Sequence, residues 1–331
     1  MSKKYNVYGI GNALVDIVTE VNDQFLADHN IEKGLMTLVD EEQQSKVSKA
    51  INMSKSNKQC GGSAANSIIA VSQFGGSSYY SCKVANDELG TFYKEDLNAN
   101  GVDSNLQTET LSDGITGKCL VMTAQDASRT MNTFLGITEA YSKAEIKEEA
   151  LKNAEYLYIE GYLVTSENGQ DAMKHAKQLA EENGVKTAIT FSDPAMVKYF
   201  KDPMTAVVGS GVDLLFCNEE EAMLYTGKEN ISEAKEELKK SAKQFVITLG
   251  EKGAVAFDGH TFIDIAPYSV NAIDSNGAGD LFAGAFMYGI TNGKSYAEAG
   301  KLASLASSKV VTQFGPRLQL KQAQELLNSL V

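Results

Sequence analysis

The chain has 331 residues, 43% hydrophobic and 22% charged, with a net charge of −13. That is enough apolar material for a large core, and the acidic balance argues against sequence-independent nucleic-acid binding, which needs Lys/Arg contacts to phosphates. No apolar run approaches the roughly 18 residues of a membrane span, and "MSKKYNVYGIGNALVDI" carries no signal-peptide pattern, so the expectation is a cytoplasmic protein with no membrane partner.

"YNVYGIG" reads as a first strand. "GIGNAL" (9–14) begins like a dinucleotide fingerprint but lacks the third glycine. The following "VDIVTEV" is strand-like where that motif needs a helix, so it is rejected. "GGSAANSIIAVSQFGG" predicts a helix over about 62–74, stopped by Gly75 and Gly76. "SSYYSCKVA" is β-like and "DELGTFYKEDLNANG" helical. Then come "AEYLYIEG" (strand), "GQDAMKHAKQLAEENG" (helix), "VKTAITFSD" and "VDLLFCN" (strands), "EEEAMLYTG" (helix) and "QFVITLG" (strand). "AVAFDG" and "HTFIDIA" pair as a hairpin, two long helices start near Asn276 and Ser295, and "LKQAQELLNSL" forms the last helix. Strands alternating with helices of ten or more residues predict βαβ units and a parallel sheet covered on both faces. Two stretches, about 16–40 and 110–136, hold strands and no long helix; they read as insertions forming a small β-rich appendage on a single α/β domain spanning 1–331.

Cys60, Cys82, Cys119 and Cys217 form no C-x-x-C pair, and His29, His175 and His260 share no metal-like spacing, so reduced thiols and no structural zinc are expected. "GITNGKS" (289–295) is one residue short of a Walker A loop and ends an apolar helix, so it is rejected as well. "IDSNGAGD" (273–280) stands before the apolar run "LFAGAFMYGI". Gly277 and Gly279 permit unusual backbone angles and close ligand approach, and free N–H groups at the helix start suit a phosphoryl group. Asp280, in the first turn, can take a proton from an attacking hydroxyl. The octapeptide alone equally suits a capped helix start with an aspartate favoured by the helix dipole. In "CGGSAANS", Gly61 and Gly62 precede a helix and Asn66 offers a donor and an acceptor for sugar hydroxyls. Asn218 and Glu221 in "NEEE" can orient water around Mg2+, or form a helix cap. "TLGEKG" (248–253) can border a nucleotide or join two strands.

In this order, "GGSAANS", Asn218-Glu219-Glu220-Glu221, "TLGEKG" and "DSNGAGD" resemble the motifs of the ribokinase-like (PfkB) family of sugar and nucleoside kinases, with Ser275 where Thr is more usual. The resemblance runs from the first strand to about Arg317 and implies a three-layer α/β/α doubly wound sheet with a small β-rich lid formed by the two insertions. It implies Asp280 as catalytic base, Gly277, Ala278 and Gly279 as anion hole, Asn218 and Glu221 as the magnesium and phosphate pair, and Thr248, Gly250 and Gly253 as nucleotide contacts. Within the family the sequence is most similar to the adenosine kinase branch and its bacterial members. That similarity implies Asn12 and Asp16 at the nucleoside and Gly62, Ser63 and Asn66 at the ribose. It further implies Asn276 in the nucleotide loop, Arg129 as a lid arginine near the transferred phosphate, and Tyr162 or Leu163 as a wall for the base. Asp274 falls where relatives border a potassium site, which adds K+ to ATP and Mg2+ as an implied ligand.

The resulting expectation is ATP-dependent phosphorylation of the 5′-hydroxyl of a purine nucleoside, adenosine first. The alternatives are a guanosine/inosine kinase, a sugar kinase for ribose, fructose or a related acceptor, and a non-catalytic nucleoside-binding protein on the same scaffold. Monomer and homodimer both fit the sequence.

Overall fold

The computed structural model describes residues 3–34, 36–51, 57–124 and 129–330. In chain order the strands are β1 (Tyr5–Ile10), β2 (Leu14–Glu20), β3 (Met36–Leu38), β4 (Asn57–Gly61), β5 (Ser78–Ser81) and β6 (Val102–Ser104). They continue with β7 (Gly117–Thr123), β8 (Arg129–Phe134), β9 (Ala154–Glu160), β10 (Lys186–Thr190) and β11 (Val212–Asn218). The last are β12 (Ala242–Thr248), β13 (Ala254–Phe257) and β14 (Phe262–Ile265). Apolar strands separated by helices can satisfy their backbone only in a sheet covered on both faces. Here β6, β5, β1, β9, β10, β11 and β12 lie side by side in parallel, and the β13–β14 hairpin adds an antiparallel edge, giving nine strands. β5 is buried at every position and β9 at all but one, as a two-sided core requires.

Each face has its own core. On one face the helices Ser63–Gln73, Ala278–Thr291 and Tyr296–Val310 pack around Ile68, Phe216 and Phe286. On the other, Glu167–Glu182, Lys201–Val208 and Glu219–Thr226 pack around Leu157, Ile189, Leu215 and Phe245. Small residues bring helices close: a Cβ on Gly284 would lie 2.4 Å from the Ser67 carbonyl, so any side chain there would push the first and second of these helices apart.

β2, β3, β4, β7 and β8 form a second sheet in the order β3-β8-β7-β2-β4. Its Val15, Ile17 and Leu120 share a hydrophobic cluster with Ala64 and Ile68 of the large layer. Its first contributing segment runs from Leu14 to Gly61, well beyond the expected 16–40, while the second, Gly117–Phe134, lies inside the expected 110–136. β4, "NKQCG", has no apolar alternation and is a strand because β2 offers it an antiparallel partner edge. Among the described residues, the first insertion holds no long helix within its expected bounds. Asp23–Asp28 is a short helix within it, and Glu41–Ala50, just after its expected end, backs the sheet through Gln44, whose Nε2 donates to the Lys118 and Asn132 carbonyls at 2.8 and 3.1 Å.

Candidate active site

Between the C-terminal ends of the large sheet's strands and the inner face of the small sheet lies a cavity of about 590 Å3. Open parallel sheets present their ligand sites at this edge. The cavity is lined by Asn12, Asp16, Gly62, Ser63, Asn66, Tyr162, Asn218, Glu221, Thr248, Asn276, Gly277, Gly279 and Asp280, so chain segments nearly 270 residues apart in sequence meet in one place (Asp280 less Asn12).

Asp280 is placed by a helix start that only glycine permits. Gly277 adopts φ 72° as N-cap of Ala278–Thr291, and a Cβ on it would lie 2.4 Å from Pro316. A Cβ on Gly279 would meet nothing within 4 Å, so the backbone there is open to the cavity. Among the described residues, the N–H groups of Gly277, Gly279 and Asp280 meet no protein acceptor. Unpaired donors at a helix N-terminus favour an anion. The helix Ser63–Gln73 runs alongside and supplies two donors to the carboxylate: Ser63 Oγ to Oδ1 at 2.6 Å and Asn66 Nδ2 to Oδ2 at 2.9 Å. Burial outweighs these two bonds and pushes the Asp280 carboxyl up to about 6. Asn66 Oδ1 is buried without a partner among the described residues, leaving an acceptor for a ligand hydroxyl.

Asn218 ends β11 and caps the helix Glu219–Thr226. Its side-chain oxygen accepts from Glu221 N at 2.8 Å, while its own N–H and Nδ2 donate to the Glu221 carboxylate at 2.9 and 3.0 Å. The cap reading of "NEEE" is therefore real, and the capped carboxylate also lines the cavity. Burial is the main cause that raises Glu221 to about 7, with Asp193 adding like-charge repulsion. Among the described residues no three His, Cys, Asp or Glu side chains cluster as a metal cage.

Asp16 sits on β2 with its carboxylate against the Cα of Gly61, where a Cβ would come within 2.2 Å. Asp274 Oδ1 accepts from Asn276 N and its Oδ2 from Gly315 N, both at 2.8 Å, so it ties the glycine loop to the chain near Gly315. Leu163, Ala278, Gly250 and Gly253 do not line the cavity. Leu163 is buried in the core behind Tyr162, and only Tyr162 faces the cavity, because the 3-10 turn Gly161–Thr165 points neighbouring side chains in different directions. Ala278 does not line the cavity and its carbonyl accepts from Ser307 Oγ. Gly250 and Gly253 bound a 3-10 turn beyond Thr248; a Cβ on Gly253 would strike the Ile265 carbonyl at 2.2 Å, so hairpin packing accounts for that glycine. Arg129 opens β8 opposite Thr123, its side chain outside the described residues.

Two acidic residues join the site that sequence reasoning missed. Glu160, the last residue of β9, is fully buried and accepts from Asn12 N at 3.1 Å, Asn12 Nδ2 at 3.1 Å and Ala64 N at 2.7 Å. Burial, working against those donors, pushes it up to about 7. Its signal was a lone carboxylate at the C-terminal end of the otherwise apolar "YLYIE". Asp193 lines the cavity and caps the helix Pro194–Tyr199 through Ala195 N at 2.7 Å, a Ser-Asp-Pro helix start. Also unforeseen was the apolar lining of the small sheet: Leu14, Met36, Leu38, Val121, Met131 and Leu135.

A doubly wound sheet with an open helix start beside a carboxylate at its ligand edge is the architecture of a group-transferring enzyme that handles anionic groups. The model of the pfkB family carbohydrate kinases matches residues 33–323, and the chain belongs to that family. An adenosine kinase from Sinorhizobium meliloti superposes with a TM-score of 0.89 at 33% identity, over 97% of this chain and 99% of that one. A probable sugar kinase protein from Rhizobium etli CFN 42 gives a TM-score of 0.90 at 31% identity, over 99% and 100%. Adenosine kinase 2 of Arabidopsis thaliana is 27% identical over 93% of this chain and 94% of its own length. The chain is thus a carbohydrate or nucleoside kinase, a phosphotransferase acting on a hydroxyl group, and the family implies ATP as donor. No helix among the described residues is long and apolar enough to cross a membrane.

Proposed function

We propose that this kinase phosphorylates the 5′-hydroxyl of a purine nucleoside, adenosine above others, with ATP as donor. The observation that carries the reading is the pairing, in one cavity, of the Asp280 carboxylate beside unpaired helix N–H groups with an apolar wall on the small sheet. A free sugar offers nothing to Leu14, Met36, Val121 and Met131, whereas a purine ring buries its faces against such a surface. The small sheet acts as the lid of one α/β domain.

In this reading Asp16 and Asn66 Oδ1 accept from ribose hydroxyls and Tyr162 borders the base. Asp280 takes the proton of the 5′-hydroxyl, with a carboxyl near 6 being mostly ionised at neutral pH. The N–H groups of Gly277, Gly279 and Asp280, with Arg129 from the lid, neutralise the phosphoryl oxygens. Thr248 and Asn276, which line the cavity, border the nucleotide, and the turn at Gly250 and Gly253 beyond Thr248 would meet it only where it extends past the cavity. Mg2+ bound to the phosphates would screen their charge. The residues fit such an ion: Glu221 and Asp193 line the same cavity as acids that repel each other, a conflict a cation would relieve, and Glu221 with Asn218 would orient the water around it. Asp274 already accepts two backbone N–H bonds, which supports a loop-holding role and leaves K+ dependence as an expectation of the resemblance alone.

The 31% identity to the probable sugar kinase favours a second reading, with a free sugar as acceptor. An ADP-release screen over adenosine, guanosine, inosine, cytidine, ribose, fructose and fructose 6-phosphate separates the two. The expected result is the highest kcat/KM for adenosine. Faster turnover of ribose or fructose than of every nucleoside would overturn the proposal, and nucleoside binding without ADP release would return the protein to a non-catalytic role.

A further inference from the structure

The two ends of the cavity are joined behind the site by the segment 313–317. Gly315 N donates to Asp274 Oδ2 at 2.8 Å, the same aspartate whose Oδ1 holds Asn276 N. Pro316 lies directly under the Cα of Gly277, so this segment supports the glycine loop from beneath. Gln313 Nε2 donates to the Arg317 carbonyl at 2.9 Å and braces the turn. Arg317 then points away from the loop. Its Nη2 pairs with Asp96 Oδ2 at 2.9 Å, with side-chain exposures of 11% and 22%, a mostly desolvated ion pair. The same Asp96 oxygen accepts from Cys60 N at 3.1 Å, on the lid strand β4. Burial works to raise the Asp96 carboxyl, but the Arg317 charge and the bonds from Cys60 and Arg317 outweigh it and hold the group below its ordinary value.

β4 in turn backs Asp16. Gly61 of β4 lies against the Asp16 carboxylate, Gln59 is its register partner, and Tyr93 Oη on the Asp96 helix (Glu88–Ala99) donates to the Gly61 carbonyl at 3.0 Å. A continuous mechanical path therefore runs from Gly277 through Pro316, Arg317, Asp96, Cys60 and Gly61 to Asp16. Among the described residues, its charged link is the Arg317–Asp96 ion pair.

We propose that Arg317 is a positioning residue: through Asp96 it fixes lid strand β4, and with it Asp16, at a set distance from the glycine loop and Asp280. The proposal rests on the reading of Asp16 as the acceptor's grip and Asp280 as the base. Arg317 touches no substrate; it sets how far the acceptor's held hydroxyls stand from the group that deprotonates the reacting one. Near-attack geometry is sensitive to shifts well below the size of a side chain, so loosening this link weakens acceptor use with little effect on ATP.

The test compares Arg317→Met, Arg317→Lys, Asp96→Asn and the Arg317→Met/Asp96→Asn double variant with wild type, using adenosine and, in parallel, ribose as acceptors. Asp96→Asn keeps an oxygen for Cys60 N, so this variant is expected to fold even where Arg317→Met does not. KM for the acceptor should rise on the order of tenfold in Arg317→Met and Asp96→Asn. KM for ATP should stay within about twofold, and Arg317→Lys should recover most of the loss by restoring the charge at Asp96. The double variant should be no worse than the poorer single variant, because the two residues act as one link. Losses that add in the double variant, equal rises in both KM values, or unchanged acceptor KM at a lowered melting temperature would each overturn the positioning role and leave a plain structural ion pair. If ribose alone is turned over, the nucleoside reading fails while the Arg317 comparison proceeds on ribose unchanged.

Discussion

The cavity's two walls are built on opposite principles. The wall on the large sheet is polar and made largely of backbone: N–H groups at 277, 279 and 280 that meet no acceptor among the described residues, a carboxylate clamped by Ser63 and Asn66, and the interlocked Asn218–Glu221 pair. Its geometry is set by positive-φ glycine, helix starts and caps, so few side-chain choices satisfy it. The wall on the small sheet is apolar and made of side chains, with Asp16 as its buried carboxylate. There many residues of similar volume would serve. In our account the first wall carries the chemistry common to the family, and the second carries the choice of acceptor.

That division can be broken by experiment. The largest effect is expected for Asp280→Asn on the polar wall: nucleotide binding retained by isothermal titration, kcat lower by about 10²-fold or more, because the amide cannot take the proton. Turnover within a few-fold of wild type would remove Asp280 from the chemistry. Next is Asp16→Ala on the lid. Each charge-assisted hydrogen bond to a ribose hydroxyl is worth roughly 1.5–3 kcal/mol, so kcat/KM for adenosine should drop on the order of 10²-fold while the preference over 2′-deoxyadenosine shrinks. An unchanged ribose-to-deoxyribose ratio would contradict the assignment of selectivity to the lid. The smallest is Glu221→Gln, which keeps the cap's shape but loses charge. The Mg2+ concentration for half-maximal rate should rise by more than KM for the acceptor does; an unaltered Mg2+ dependence would make the pair a helix cap alone.

The same contrast explains what could be read from the residues alone. The parallel strands, most long helices and the edge hairpin were legible because each has a strong period and clear glycine or cap punctuation. "DSNGAGD" by itself suits a capped helix start as well as a phosphoryl site, and it became legible only beside "GGSAANS", "NEEE" and "TLGEKG" in that order. β4 was not, since "NKQCG" becomes a strand through its partner β2 and carries no pattern of its own. The apolar wall was not, because Met36, Leu38 and Met131 look like ordinary strand residues until a second sheet faces them across a cavity. Glu160 hid at the end of the apolar run "YLYI", and only the fold brings Asn12 and Ala64 to its carboxylate. The resemblance of "EGYLVTS" offered Tyr162 or Leu163 as the wall for the base and could not choose between them, whereas the 3-10 turn sends only Tyr162 to the cavity and Leu163 into the core.

The most direct test of the central claim, that ionised Asp280 is the base, is the pH profile of acceptor kcat/KM in wild type and Ser63→Ala. A base must be deprotonated, so the wild-type rate should fall as pH drops through about 6, the value to which burial pushes this carboxyl. Ser63 Oγ donates to the charged form at 2.6 Å and so lowers the value; removing it favours the protonated acid. The account predicts that the acidic limb moves to higher pH in Ser63→Ala, whatever happens to the plateau rate. A limb that stays in place while the plateau falls would mean that some other group controls it, and would contradict Asp280 as the base.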